Sequence, residues 1–340
     1  MAANGLESTA RELVSDHKGI LAADESFGTI EKRFKSIDIP STEDNRRSYR
    51  DMLFTTPGLE EFISGVILFD ETIRQRADDG TPFPNVLAGK GIIPGIKVDA
   101  GAKDLAGFPG EKITEGLDGL RKRLSEYRDL GARFTKWRAV ITIGDAIPTR
   151  FCIDANAHAL SRHAALAQEA GFVPIVEPEV LMDGPHSIER HYDVTQLTLK
   201  QTFDQLLEHR VALEGLLLKT NMVLSGTESD PQAGVEEVAA RTLECLRTVV
   251  PPAVPGIVFL SGGQSDEQAT AHLDAMNRLG PRPWELSFSY GRALQAPALK
   301  AWKGERSNVD AGQKALYHRA KLNGAARAGS YSADMEAQAA

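Results

Sequence analysis

The chain has 340 residues, of which 42% are hydrophobic and 25% charged, and it carries a formal net charge of −8 at pH 7. That length and balance suit a globular protein with a large buried core, while the negative charge excludes indiscriminate binding to nucleic acid or an anionic membrane, which needs a positive surface field. The two cysteines, Cys152 and Cys245, are far apart and form no CxxC pair, excluding a disulfide framework or thiolate zinc site and pointing to a reducing compartment.

Short runs rich in Val, Ile and Leu alternate with longer amphipathic segments, the pattern of parallel strands separated by helices. In chain order the runs fall at 19–24, 66–70, 92–99, 134–141, 172–180, 215–223, 256–261 and 285–291. The first ends on Asp24. Ser41-Thr-Glu-Asp44 then reads as a helix cap. Lys97 and Asp99 stand late in the third run, and after it Leu117, Leu120, Leu124, Tyr127 and Leu130 recur at the spacing of a surface helix. The fourth run carries Lys136 and Arg138, the fifth Glu177 and Glu179, the sixth Lys219. His158 and His163, like His186 and His191, are five apart. Neither pair shares a helical face, so they read as helix-surface or cap residues and no metal site is expected. Ser261-Gly-Gly263 follows the seventh run and precedes a capping box, Ser265 to Gln268, and Gly291-Arg292 closes the eighth. From Asn323 the composition turns to Ala, Gly and Ser. This predicts a single α/β domain, a (β/α)8 TIM barrel over 1–322, with a flexible tail over 323–340. A doubly wound open sheet is the runner-up, because strand order is not written in one sequence. No apolar run approaches the ~20 residues of a membrane span, and residues 1–18 lack a signal-peptide core, so a cytoplasmic protein without membrane contact is expected.

Barrel active sites lie at the C-terminal ends of the strands, where these ionisable residues fall. Residues two apart on a strand share a face, so Lys136 with Arg138, and Glu177 with Glu179, meet inside the barrel if they point inward. A structural ion-pair network is the competing explanation, weakened because several strands carry such residues. Two strand lysines suggest carbonyl chemistry. An amine attacks only when neutral, and the cation of Lys136 would lower the pKa of Lys219. Loss of water from a carbinolamine needs an acid, for which Glu177, raised by Glu179, is suited, leaving Asp24 as a base elsewhere. The amides of Ser261-Gly-Gly263 and the helix start behind them are placed to cradle a phosphate, an ordinary βα turn being the competing explanation until Lys97, Arg138 and Arg292 are added as phosphate cations. No P-loop, GxGxxG or calcium loop is present, and no cofactor is expected.

At these residues the sequence resembles the class I fructose-1,6-bisphosphate aldolases over nearly its whole length. The shared stretches are Gly19-Ile-Leu-Ala-Ala-Asp-Glu-Ser26, Gly95-Ile-Lys-Val-Asp-Ala-Gly101, Lys136-Trp-Arg138, Val176-Glu-Pro-Glu-Val180, Leu217-Leu-Lys-Thr-Asn-Met-Val223, Phe259-Leu-Ser-Gly-Gly-Gln-Ser265 and Leu286-Ser-Phe-Ser-Tyr-Gly-Arg-Ala-Leu-Gln295. The resemblance implies that Lys219 forms a Schiff base with the ketone of a sugar bisphosphate, cleaved in glycolysis and gluconeogenesis to dihydroxyacetone phosphate and glyceraldehyde 3-phosphate. It makes Lys136 the helper at the carbinolamine, Glu177 the acid–base for water, Asp24 the handler of the hydroxyl proton, and Glu179 the residue holding Glu177 and the lysine in register. It places Ser261, Gly262, Gly263, Ser289, Gly291 and Arg292 around the ketone-side phosphate, and Ser26, Thr29, Arg33, Lys97 and Arg138 around the other. It also implies a homotetramer. Thr220 stands where the family usually has proline, Thr135 where it has alanine, and Phe27 and Thr29 alter the first substrate loop. Many members end in a tyrosine that aids proton exchange at the enamine. Here Gln338-Ala-Ala340 takes that place and Tyr331 is the nearest candidate, so slower enamine protonation is expected. An aldolase for a related ketose phosphate, or a scaffold barrel without turnover, are the alternatives.

Overall fold

The computed structural model describes residues 2–338. Among them ten strands form in chain order: β1 (Gly19–Ala23), β2 (Ile63–Leu68), β3 (Ile93–Lys97), β4 (Ala102–Asp104), β5 (Lys112–Thr114), β6 (Phe134–Ile141), β7 (Val173–Val180), β8 (Leu217–Thr220), β9 (Gly256–Phe259) and β10 (Glu285–Tyr290). All eight apolar runs are strands. They pair in parallel, in the order β1-β10-β9-β8-β7-β6-β3-β2, and β1 pairs with both β10 and β2. That double pairing closes the sheet into a TIM barrel and removes the open-sheet alternative. The antiparallel ribbon β4–β5 was not foreseen, since each strand is only three residues long. β2 starts at Ile63, ahead of the expected 66–70, and Asp70 opens the short helix Asp70–Arg74, where a carboxylate suits the positive helix end.

Side chains alternate along each strand, so one parity faces the barrel axis. At the N-terminal end those positions are apolar: Ile20, Ile67, Ile93, Phe134, Val173, Leu217 and Val258 cluster with Leu6, Ala10, Leu13 and Val14, the apolar residues of helix Ala2–Leu13 and of the turn after it. The helix plugs that end. Glycine makes the room, because a Cβ on Gly95 would stand 2.2 Å from the Phe134 ring, and one on Gly65 2.6 Å from Leu13. The same parity continued towards the C-terminal ends brings Asp24, Lys97, Lys136, Arg138, Glu177, Glu179 and Lys219 to the open mouth.

Around the barrel, helix Leu120–Asp129 buries Leu120, Leu124 and Tyr127 as its spacing predicts. The capping box opens helix Asp266–Arg278. Thr42 rather than Ser41 caps helix Glu43–Thr55, its side chain accepting from the Asn45 amide. The last helix, Val309–Arg327, runs straight through the boundary expected at 323. Asn323 and Arg327 are buried, Asn323 accepting from the Thr270 hydroxyl at 3.1 Å and Arg327 donating to the Val14 carbonyl at 2.7 Å. These contacts hold the segment against the barrel, so any tail begins later. Residues 339–340 of the expected tail lie outside the described residues.

Two of the histidines are not surface residues. His163 and His191 are fully buried, and burial pushes each imidazole down to about 3. His163 shares a 2.8 Å hydrogen bond with the Thr135 hydroxyl, and His191 Nδ1 accepts from the Leu224 amide at 3.1 Å. An uncharged imidazole with a partner is tolerated inside a protein, and helical spacing alone does not reveal that partner. No helix among the described residues is long and apolar enough to cross a membrane.

Candidate active site

A cavity of about 1040 Å³ opens at the C-terminal ends of the barrel strands. Lys219, Lys136, Glu177 and Asp24 form a continuous chain of charge within it. Lys219 Nζ lies 3.0 Å from Glu177 Oε1, Lys136 Nζ lies 3.2 Å from Glu177 Oε2, and Lys136 Nζ lies 2.6 Å from Asp24 Oδ2. The carboxylate of Glu177 is thus shared by two ammonium groups, and all three side chains are buried.

Burial by itself would raise the Glu177 carboxyl. Lys136, Lys219 and Arg138 outweigh it and hold the group below its ordinary value of 4.5. This corrects the expectation that Glu179 keeps Glu177 protonated, because Glu179 is paired with Arg138 instead. Asp24 is likewise driven well below the carboxylate range, burial being outweighed by Lys136 and Lys219. On Lys136 burial acts to lower the pKa, but Asp24 and Glu177 raise it above the ordinary lysine value, so Lys136 stays charged.

Two polar groups flank this centre. On one side Ser261, Gly262, Gly263, Ser289, Gly291 and Arg292 line the cavity from the ends of β9 and β10. The Ser289 hydroxyl oxygen is buried there with no protein partner among the described residues, which leaves it for a ligand. Arg292 donates to the Gly262 carbonyl at 3.1 Å. On the other side stand Ser26, Thr29, Lys97 and Arg138, with the Ser26 and Thr29 hydroxyls 3.2 Å apart and Lys97 held at 2.6 Å by Asp99. Arg33 also lines the cavity, but its guanidinium reaches within 3.4 Å of where a Cβ on Gly291 would stand. It lies between the two groups, because β1 and β10 are neighbours in the closed sheet.

All sixteen residues singled out from the sequence therefore line one cavity. Tyr331 does not line it, being held on the outside of the barrel by Asp274 and Glu336. The sequence reading missed the support of Arg33: Glu25, beside Asp24, is buried between Arg33 and Arg50 and accepts from Gln295 Nε2 at 2.9 Å. Glu25 lay within a quoted motif, but nothing in the helical pattern around Arg50 marks an inward arginine. Phe27, half-exposed, stacks edge-on against Phe69 at 5.3 Å at the rim, outside the cavity lining.

The family model described as Fructose-bisphosphate aldolase class-I matches residues 5–340. The chain belongs to the class I fructose-bisphosphate aldolases. Among its relatives, a probable fructose-bisphosphate aldolase class 1 of Xylella fastidiosa (strain 9a5c) is 58% identical across 97% of this chain and 99% of the relative. The Arabidopsis thaliana protein named fructose-bisphosphate aldolase 4, cytosolic, is 52% identical across 94% of this chain and 81% of its own length. The fructose-bisphosphate aldolase of Plasmodium falciparum, solved in complex with TRAP and a small-molecule inhibitor, superposes with a TM-score of 0.96 at 50% identity, covering 97% of this chain and 96% of that one. The aldolases of this class are lyases that work through a Schiff base on a lysine.

Proposed function

We propose that Lys219 is the imine-forming lysine of this aldolase and that fructose 1,6-bisphosphate is its substrate. The carrying observation is Glu177 shared between Lys219 and Lys136, at 3.0 and 3.2 Å. Proton transfer along the shorter contact turns the Lys219 ammonium into a neutral amine and Glu177 into a carboxylic acid, the two forms that the first step needs. The amine attacks the ketone carbon. Glu177 then gives its proton to the carbinolamine hydroxyl, which leaves as water, and the iminium remains on Lys219. Lys136 keeps its charge throughout, stabilising the oxygen as it develops negative character. Asp24 takes the proton from the C4 hydroxyl as the C3–C4 bond breaks, and the bonding electrons pass into the iminium as an enamine. Protonation of the enamine and hydrolysis of the imine release dihydroxyacetone phosphate after glyceraldehyde 3-phosphate.

The two polar groups at the mouth fit a substrate phosphorylated at both ends, Arg292 and the Ser261–Gly263 loop on the ketone side, Lys97 and Arg138 on the other. Arg33, between them, is placed to serve either phosphate. Glu179, paired with Arg138, acts by orientation.

Borohydride reduction in the presence of fructose 1,6-bisphosphate, followed by peptide mapping, tests this reading. A reduced sugar phosphate adduct on Lys219 is the expected result. An adduct on another lysine, or none with folded protein and substrate present, would overturn the assignment.

A further inference from the structure

The loop that closes β9 is gripped from behind by a relay lying outside the cavity. The Ser261 carbonyl accepts twice from Gln264, from the backbone amide at 3.2 Å and from side-chain Nε2 at 3.0 Å. In a trans peptide the C=O and N–H point in opposite directions. Holding the Ser261 carbonyl towards Gln264 therefore turns the Gly262 N–H the other way, and Gly262 lines the cavity. That amide has no protein acceptor among the described residues, as suits a donor reserved for a ligand.

Gln264 is buried, and its Oε1 lies 2.6 Å from Nδ1 of His272. A carbonyl only accepts, so the nitrogen of the Gln264 amide must face Ser261 and its oxygen must face His272. The hydrogen of the imidazole is then on Nδ1. His272 sits on helix Asp266–Arg278, buried and away from the cavity lining. Burial pushes its pKa down to about 4, so this neutral tautomer persists through the neutral range.

We propose that His272 is a positioning residue for the ketone-side phosphate. Through Gln264 it fixes the Ser261–Gly262 peptide with the amide, rather than the carbonyl, facing the anion. Without the relay the Ser261 carbonyl keeps only the 3.2 Å bond from the Gln264 backbone amide and the peptide turns more readily, and a carbonyl oxygen brought against a phosphate is repelled. The proposal rests on the reading of this loop as a phosphate cradle.

The test compares His272→Leu, which removes the donor, with His272→Asn, whose side-chain nitrogen hangs from Cγ as Nδ1 does. His272→Leu is expected to raise the KM for fructose 1,6-bisphosphate about tenfold with kcat within about twofold, the size of losing one buried hydrogen bond. The inhibition constant of dihydroxyacetone phosphate, which carries only the ketone-side phosphate, should rise in step. His272→Asn should return both to within about threefold of the parent, and Gln264→Leu should match His272→Leu with no further rise in the double variant. Parent-like constants in His272→Leu, or an Asn variant as impaired as the Leu variant, would overturn the relay. If His272→Leu does not fold, Gln264→Leu and His272→Asn carry the comparison, and a parent-like Gln264→Leu decides against it. Borohydride trapping on the parent keeps the two readings apart: no adduct at Lys219 speaks against the proposed function, whereas parent trapping with unchanged variants speaks against the relay alone.

Discussion

Glu177 shows how one side chain is governed by opposing effects. Burial favours its neutral form, while two lysines at 3.0 and 3.2 Å favour the carboxylate, and the lysines win. In the mechanism proposed above, once Lys219 becomes an uncharged amine one of those two charges is gone and burial regains weight, which favours the acid form of Glu177 at the stage that would consume it. Glu177→Gln keeps the size and removes the titrating group. It should lower kcat by about 10² to 10⁴, the usual range for a general acid–base, with the KM for fructose 1,6-bisphosphate little changed because the residues proposed to hold the phosphates are intact. Steady-state kinetics checks this, and a kcat near the parent value would remove Glu177 from the proton path. The two-residue spacing of Glu177 and Glu179 was visible in the sequence and correctly placed both in the cavity. The protonation of Glu177 was misjudged because its partners come from different strands, Lys136 from β6 and Lys219 from β8.

At the scale of the strand, the same inward parity does two jobs. Near the N-terminal end it supplies the apolar plug under the barrel, and near the C-terminal end it supplies charge. Gly95, on β3 two residues before Lys97, leaves the space that the Phe134 ring fills. Phe134 is completely buried and begins β6, the strand that carries Lys136 and Arg138. Gly95→Ala would place a methyl group 2.2 Å from that ring, and the ring or the strand must give way. A loss of about 1 to 3 kcal/mol is expected, as for other overpacked cores, read as a lower urea midpoint at unchanged m-value. An unshifted midpoint would mean that the plug is looser than these contacts imply. A one-residue slip of β3 or β6 would turn the plug and the lysines outward together, so stability and chemistry depend on one register.

Across the whole molecule, acid stability is set by buried groups whose folded form releases protons. His163 and His191 are pushed from 6.5 down to about 3, and His272 to about 4. Below about pH 6.5 the unfolded chain takes up protons at these histidines and the folded protein does not, so stability falls as the pH drops. Asp24, Glu25 and Glu177 lie below ordinary values of 3.8, 4.5 and 4.5, so their contribution is present above about pH 4.5 and is lost on further acidification. The urea midpoint is expected to decline from pH 6.5 to 5 and to fall more steeply below 4.5, with no contribution from these groups between pH 7 and 9. A midpoint flat from pH 7 down to 5 would contradict the neutral buried imidazoles.

By itself the sequence determined the eight strands and the ionisable residues at the mouths of five of them, because short apolar runs and charge placed late in a run are local properties of the chain. The family motifs singled out the residues of the two polar groups on the same terms. Only the tertiary structure decided closure of the barrel, since the β1–β10 pairing joins residues from opposite ends of the chain. It alone decided that Arg33 lies between the two polar groups, that Tyr331 stays outside the cavity, and that the last helix continues past 323. The protonation of Glu177 and the tautomer of His272 belong with these. Each depends on partners brought within hydrogen-bond distance by the packing of separate elements, and no local pattern in the sequence records such distances.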